Sequence, residues 1–398
     1  MTSSHRFRPA NIGQLQQVVA HAVAEGMSLD VRGHGSKAGL GRPTEAAGCL
    51  DTSGLAGIDM YEPDELVMSA GAGTPLADIE AALAEKGQVL AFEPADYGLV
   101  LGGPAGCQTI GGVFAANLSG PGRIRSGAAR DHLLGLQLVT GHGQIIKTGG
   151  RVVKNVTGYD LCKLLSGSMG TLAVMSHVTF KVLPAAETSG TLVLCGNDET
   201  VLLQCLRAAM GSPFDVSGAA MLPASAAARS AVGEVAAAGQ SLALVRVEGP
   251  SPSVDYRVDE LKKLLAGNIV EFGLLDHASG SAIWKEIRDV RLLPSDGPLW
   301  RVSVAPTAAL DAAGSTGARI FDGSGGVIWL AGDEDGVVRQ RAIAAGGHAM
   351  LVRGSGDLRL RIPPFQPQPD ALHRLSQRVK NSFDPRHVLN AGRMYEGI

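Results

Sequence analysis

The sequence predicts an α+β protein of two domains, and three observations carry that prediction. Helix-period and strand-period patterns are interspersed along the first 184 residues, glycine is concentrated within that stretch, and the chain changes character near residue 185. A chain of 398 residues has the length of two or three domains and can bury a sizeable core. Its hydrophobic share of 45% is that of a globular protein and excludes global disorder.

The elements follow in order. Asn11 stands where an N-cap is wanted, and Leu15, Val18, Val19, Ala22 and Val23 form one apolar stripe, predicting a helix over 12–25. Residues 28–32 read as a short strand that runs into Gly33-His-Gly-Ser-Lys37. After Thr74, Pro75 takes the first helical position, Leu76, Ile79 and Leu83 make the stripe, and Gly87 ends it. Between 133 and 147 two strands are joined by the turn Gly141-His142-Gly143, and 172–183 alternates as another until Pro184 stops it. The expected division is therefore a domain over 1–184, a second over 185–370 and a C-terminal segment over 371–398 that returns to the first domain. In the second domain alanine-rich helical segments alternate with strands such as 241–247 and 326–330. Residues 363–369, with four prolines, read as a stiff linker before a helix over 370–381.

Charge and cysteine usage narrow the function classes. With 35 basic and 38 acidic side chains the net charge is −3, and only 4% of residues are aromatic. Neither a basic footprint for nucleic acid nor a base-stacking platform is present. The five cysteines (Cys49, Cys107, Cys162, Cys195, Cys205) are scattered with no C-x-x-C pair, which fits a reducing compartment rather than a disulfide framework or metal cluster. The N-terminus lacks an apolar signal region, and no run of 18 apolar residues exists, so a cytoplasmic protein is expected.

Glycine is the anomaly. Residues 101–150 hold 13 of the chain's 53 glycines, which points to backbone that takes positive φ or approaches something closely. Three segments stand out. Arg32-Gly-His-Gly-Ser-Lys37 leaves a strand, and its amides could converge on one anion with Lys37 adding charge. A plain strand-to-loop turn would use the same residues. It is neither a Rossmann fingerprint nor a Walker loop. The second segment runs from Gly102 to Arg123. A buried pyrophosphate needs many donors, and amides freed by glycine, the hydroxyls of Thr109 and Ser119, and Arg123 could supply them. The third is Lys154-Asn-Val-Thr-Gly-Tyr-Asp160 with the following Gly167 and Gly170, where close backbone approach could seat a flat ring.

These two glycine loops, followed by the Gly-Tyr-Asp-Leu and Gly-Ser-Met-Gly-Thr-Leu segments, resemble the FAD-binding domain of the vanillyl-alcohol oxidase/p-cresol methylhydroxylase (PCMH-type) superfamily. More narrowly, Val153-Lys-Asn-Val-Thr-Gly-Tyr-Asp160, Pro298-Leu-Trp-Arg-Val-Ser303 and the ending Phe383-Asp-Pro…Leu-Asn390-Ala-Gly are similar to the FAD-binding subunits of bacterial glycolate oxidases. The resemblance implies a two-part FAD domain followed by an α+β cap. It implies an FAD whose pyrophosphate is held by Arg32, Gly33, His34, Gly35, Ser36 and Lys37 and by Thr109, Ile110, Gly111 and Gly112. Arg123 would add a donor, and Asn117, Ser119, Gly120, Gly170, Thr171 and Ala173 would line the flavin side. Some relatives tether FAD through a histidine where this chain has Ser36, so non-covalent FAD is expected. Others use a cysteine at the position of Cys107, for which a small residue in a tight loop is the simpler account here.

Free-standing 2-hydroxy-acid dehydrogenases of this superfamily carry a histidine-rich metal cluster in the second domain. Here His277, His348, His373 and His387 lack ligand spacing, and no metal site is expected. Arg288, Arg291 and Arg301 could clamp a carboxylate or pair with Glu286 and Asp289. The resemblance therefore implies a subunit of a glycolate oxidase complex, beside a homologous flavin subunit and an iron–sulfur subunit. The partner would oxidise the small 2-hydroxy acid, and this chain would relay electrons or serve as a platform; its own catalytic residues are not identified. An autonomous 2-hydroxy-acid dehydrogenase and a non-catalytic scaffold are the alternatives. Peripheral attachment at the inner membrane face, through the complex, is left open.

Overall fold

In the computed structural model the described residues are 5–150, 159–267, 271–315, 317–332 and 336–398. They form two compact units. One comprises the described residues of 5–119, 127–150, 159–184 and 359–398, the other those of 120–126 and 185–358. The chain thus crosses between units after Pro184, but the returning segment begins at Arg359 rather than 371, and seven residues of the glycine-rich stretch group with the second unit.

The first unit starts with a parallel β-α-β arrangement. Strand β1 (His5–Phe7), the helix Ile12–Glu25 and strand β2 (Leu29–Arg32) flank β3 (Gly48–Asp51), giving the order β1-β3-β2. The helix begins as its sequence dictates: the Asn11 side chain accepts the Gln14 amide, and Gly26, at φ 64°, closes the other end. Leu15, Val19 and Ala22 are the buried part of its stripe. The next helix spans Leu76–Ala84, with Pro75 one position earlier than expected, as its N-cap.

Strands β4 (Ile58–Glu62), β5 (Val67–Gly71), β7 (Leu133–Thr140), β8 (Ile145–Gly149) and β9 (Ala173–Lys181) form a five-stranded sheet. Its order is β4-β5-β9-β7-β8, with antiparallel pairing throughout. A short antiparallel pair, β6 (Gln88–Val89) with β10 (Leu183–Pro184), accompanies it. One core cluster joins Leu15, Val19, Leu29, Leu50, Val139 and Val174 to Val388 and Leu389. The end of the chain is therefore part of the core that positions the first glycine loop.

The second unit is one eight-stranded antiparallel sheet. It contains β11 (Thr188–Gly196), β12 (Gly218–Leu222), β13 (Ser241–Gly249), β14 (Glu271–Leu275), β15 (Leu299–Ser303), β16 (Ala318–Asp322), β17 (Val327–Ala331) and β18 (His348–Arg353). The order is β14-β11-β13-β12-β16-β17-β15-β18. The helices Glu199–Met210 and Ser251–Leu265 pack against β11 and β13, and His277–Arg288 packs against β11 and β14. Strand β13 is buried from Ser241 to Val247, which explains its near-continuous apolar run. The one charge in that run, Arg246, lies 4.9 Å from the Trp284 ring and donates to the Ser217 hydroxyl and carbonyl.

Candidate functional site

A cleft in the first unit runs along both glycine loops. Its lining begins at Val31, Arg32, Gly33, His34, Gly35, Ser36, Lys37 and Ala38 and continues over Thr109, Gly112, Ala115, Ala116, Met169 and Arg393. A second lobe shares Val31, Arg32, Gly33, Gly112, Ala115 and Met169 and extends to Thr52, Ala72, Gly111, Gly170, Ala173, Val174 and Met175. The lobe that reaches strand β9 is mainly apolar, while the lobe at the first loop carries the charge.

The loop after β2 has the donor set expected of an anion site. Among the described residues, none of the backbone amides from Gly33 to Lys37 donates to another protein group. Gly35 takes φ 80°, which turns successive amides toward one side, as in an anion-binding nest. The Lys37 ammonium bonds the Ser36 hydroxyl at 3.2 Å. Burial pushes its pKa down to about 8, with Asp96 opposing and Arg393 adding to the shift. A half-buried cation with no carboxylate in ion-pair contact among the described residues, beside free amides, matches a dianionic group in chemistry and charge.

The second loop behaves differently from expectation. Thr109 caps the helix Ile110–Ala116, accepting from the Gly112 amide. The Ile110 and Gly111 amides donate to the Thr74 and Ala72 carbonyls at 3.0 and 2.9 Å, so they are not free donors. Glycine at 111 serves close packing instead, because a Cβ there would sit 2.6 Å from the Ala72 carbonyl oxygen. Glycine at 33 does the same between the loops, where a Cβ would lie 2.7 Å from the Thr109 hydroxyl. Glycine thus thins both walls and lets the two loops meet.

Several other expected residues do other work. Ile110 is fully buried in the core. Asn117 takes φ 50° at the helix C-terminus, and its Oδ1 accepts the Arg130 amide at 2.9 Å. The Ser119 hydroxyl accepts the Ala129 amide at 2.9 Å. Neither side chain lines the cleft; both satisfy helix ends, a demand that polar residues after a glycine loop meet as readily as a ligand's. Gly120 and Arg123 belong to the second unit. Thr171 is buried and donates to the Ser168 carbonyl at 2.8 Å. Gly170 and Ala173 do line the cleft. The Cys107 thiol points back to the Ala105 carbonyl at 3.5 Å and does not line it. Residues 151–158 of the third motif lie outside the described residues; Asp160 caps the helix Leu161–Leu165.

The C-terminal segment brings to the site side chains that sequence reasoning did not name as site residues. Lys380 and Asp384 form a fully buried pair at 2.6 Å. Lys380 also donates to the Thr171 and Leu389 carbonyls, and Asp384 accepts the Val388 and Leu389 amides. So anchored, Leu389 bridges Leu29 in parallel. The Asn390 side chain accepts from the Val31 amide at 2.7 Å and donates to the Met169 carbonyl at 2.7 Å, fastening two walls of the cleft together. Arg393 follows, its Nη2 donating to the Lys37 carbonyl at 2.7 Å. The sequence offered the motif-like ending around Asn390 and the expectation that the tail returns to the first domain, without a role for these side chains.

Comparison with known proteins agrees with this geometry. The family described as "FAD binding domain" matches residues 4–149. Glycolate oxidase subunit GlcE of Escherichia coli (strain K12) is 34% identical over 391 residues, covering 96% of each chain. The chain belongs to the glycolate oxidase GlcE family. It carries that family's FAD-binding domain and falls in the oxidoreductase class. Glycolate oxidase subunit GlcD of Bacillus subtilis (strain 168) is 28% identical over 54% of this chain and 43% of its own length. Both relatives are oxidase subunits, so the family's setting is a multi-subunit complex. A crystal structure of p-cresol methylhydroxylase with substrate bound superposes with a TM-score of 0.71 at 14% identity, over 100% of this chain and 90% of that one. The α+β fold is thus of the PCMH type.

In the second unit, two of the three candidate arginines have protein partners, Arg301 donating to the Ser303 hydroxyl at 3.3 Å. Arg288 forms two bonds to its neighbour Asp289, at 2.9 and 2.8 Å. Glu286 instead accepts from the Ser230 hydroxyl and the Ala231 amide. Among the described residues, no three His, Cys, Asp or Glu side chains are placed to share a metal ion.

Proposed function

We propose that this chain is the FAD-holding electron-relay subunit of a multi-subunit glycolate oxidase, with the 2-hydroxy acid oxidised on a homologous flavin subunit. The observation that carries the cofactor assignment is the run of free amides from Gly33 to Lys37 beside the half-buried Lys37 ammonium. These groups would hold the pyrophosphate, while Gly112, Gly170, Ala173 and Met169 would leave room for the ring system against an apolar wall. FAD bound there supplies redox chemistry in one- or two-electron steps. The chain's own contribution is to hold the anion, exclude water from the apolar lobe and keep the thiol of Cys107 away, which supports non-covalent binding.

The relay role rests on the second unit. An oxidation site for a 2-hydroxy acid needs a cationic clamp for the carboxylate and a base or metal at the hydroxyl. Arg288 is neutralised by Asp289 and Glu286 is engaged by Ser230 and Ala231. An iron–sulfur subunit would accept the electrons, and the complex would sit at the cytoplasmic face of a membrane. Among the described residues no helix is long and apolar enough to cross one.

The test is anaerobic addition of glycolate to the isolated, flavin-loaded chain, then to the chain with its flavin partner. Flavin absorbance that persists alone and bleaches only with the partner supports the relay. Bleaching of the isolated chain would make it a dehydrogenase in its own right.

A further inference from the structure

We infer that Arg393, carried by the C-terminal segment, is a phosphate-binding residue of the dinucleotide cleft. The inference rests on the FAD reading and extends it to a residue more than 350 positions away from the loop it joins.

Arg393 is 8% exposed and lines the cleft beside Lys37. A guanidinium has five N–H donors in a rigid fork. Here Nη2 serves the Lys37 carbonyl at 2.7 Å, and Nη1 lies 3.5 Å from Asp30. Nε is buried and has no acceptor among the described residues. Buried polar groups are nearly always paired, so an unpaired N–H on a guanidinium that lines an anion cleft leaves that side chain with a donor a ligand could take up.

The rest of the segment is built to place this group. Gly41, at φ 83°, lets the first loop approach so closely that a Cβ would lie 2.8 Å from the Arg393 carbonyl oxygen. That same oxygen accepts the Arg42 amide at 2.8 Å. The loop and the segment therefore hold one another at both ends of the Lys37–Arg42 stretch. Lys37 and Arg393 line the cleft together with the free amides of Gly33 to Lys37, and the ligand chemistry that fits is a pyrophosphate dianion.

The experiment uses full-length apoprotein titrated with FAD and with ADP, which carries the pyrophosphate without the flavin. Wild-type binding of both tests the FAD reading itself. Arg393→Met should then weaken FAD and ADP by at least tenfold each, and Arg393→Lys should fall between. Affinities within twofold of wild type would overturn the assignment. Because Arg393→Met also removes the bond to Lys37, the wild-type chain with nitrogen-15-labelled arginine provides a second measurement. Assigned through Arg393→Lys, the Arg393 Nε–H resonance should shift and gain exchange protection when ADP is added. A resonance unmoved by saturating ADP would show that Arg393 only shapes the loop, even where the substitution impairs folding.

Discussion

Replacing Lys380 with Met tests how the end of the chain holds the cleft. Lys380 is wholly buried and spends its three N–H groups on Asp384, the Thr171 carbonyl and the Leu389 carbonyl. Methionine fills a similar volume, so the change removes charge and donors more than packing. Asp384 then keeps its two backbone donors, Val388 and Leu389, but loses its cation in a buried setting. Removing one partner of a buried pair costs ~3–5 kcal/mol. For a unit of this size, at 2–4 °C per kcal/mol, the melting temperature should fall by about 6–20 °C. FAD affinity should fall with it, because Asn390 and Arg393 are held in place by this anchor. Adding Asp384→Leu should not restore stability, since the Val388 and Leu389 amides would lose their acceptor. Calorimetry of the apoprotein and a flavin titration give both quantities. A melting temperature within 2 °C of wild type, with unchanged FAD affinity, would refute the anchoring argument.

Three further outcomes are expected. Burial holds the Lys37 pKa at about 8, below its unfolded value, so between pH 8 and the usual lysine range the unfolded apoprotein binds more protons than the folded one. Apoprotein stability therefore gains from Lys37 as pH rises through that window, while FAD affinity should fall, by up to about tenfold per pH unit; Lys37→Met should flatten the affinity profile in a pH series of titrations. Gly111→Ala places a Cβ 2.6 Å from the Ala72 carbonyl oxygen, and the overpacking should cost ~1–3 kcal/mol in denaturant melts. Glu286→Ala strands the Ser230 hydroxyl and the Ala231 amide, which should cost ~1–3 kcal/mol without changing the flavin-to-protein absorbance ratio.

Much of this architecture is legible in the residues. The stripe Leu15, Val19, Ala22 is buried as its spacing requires, and the strands on either side of Gly141-His142-Gly143 pair as expected. At the first glycine loop the sequence alone left an anion nest and a plain strand-to-loop turn open, and the free amides of Gly33 to Lys37 become visible only in the fold. Its second counterpart misled in detail: glycine signals close approach without saying what approaches, and at 111 the visitor is Ala72 rather than a ligand. Asn117 and Ser119 show a related ambiguity, since a capping side chain and a ligand donor need the same chemistry. Lys380 was invisible for the opposite reason. A lysine on a helix with few buried neighbours reads as solvated; its partner Asp384 stands four residues on, but the Thr171 and Leu389 carbonyls that bury the pair meet it only in the fold. Arg393 reaches Lys37 only once Val388 and Leu389 have joined the core, a contact no local pattern encodes.

The central claim is that this cleft holds FAD without a covalent bond, and the visible spectrum of the purified chain before and after acid precipitation tests it most directly. Flavin bands at one equivalent per chain that pass wholly into the supernatant are the predicted result. Colour that stays with the precipitated protein would contradict non-covalent binding, and a chain that remains colourless after incubation with excess FAD would contradict the cofactor site itself.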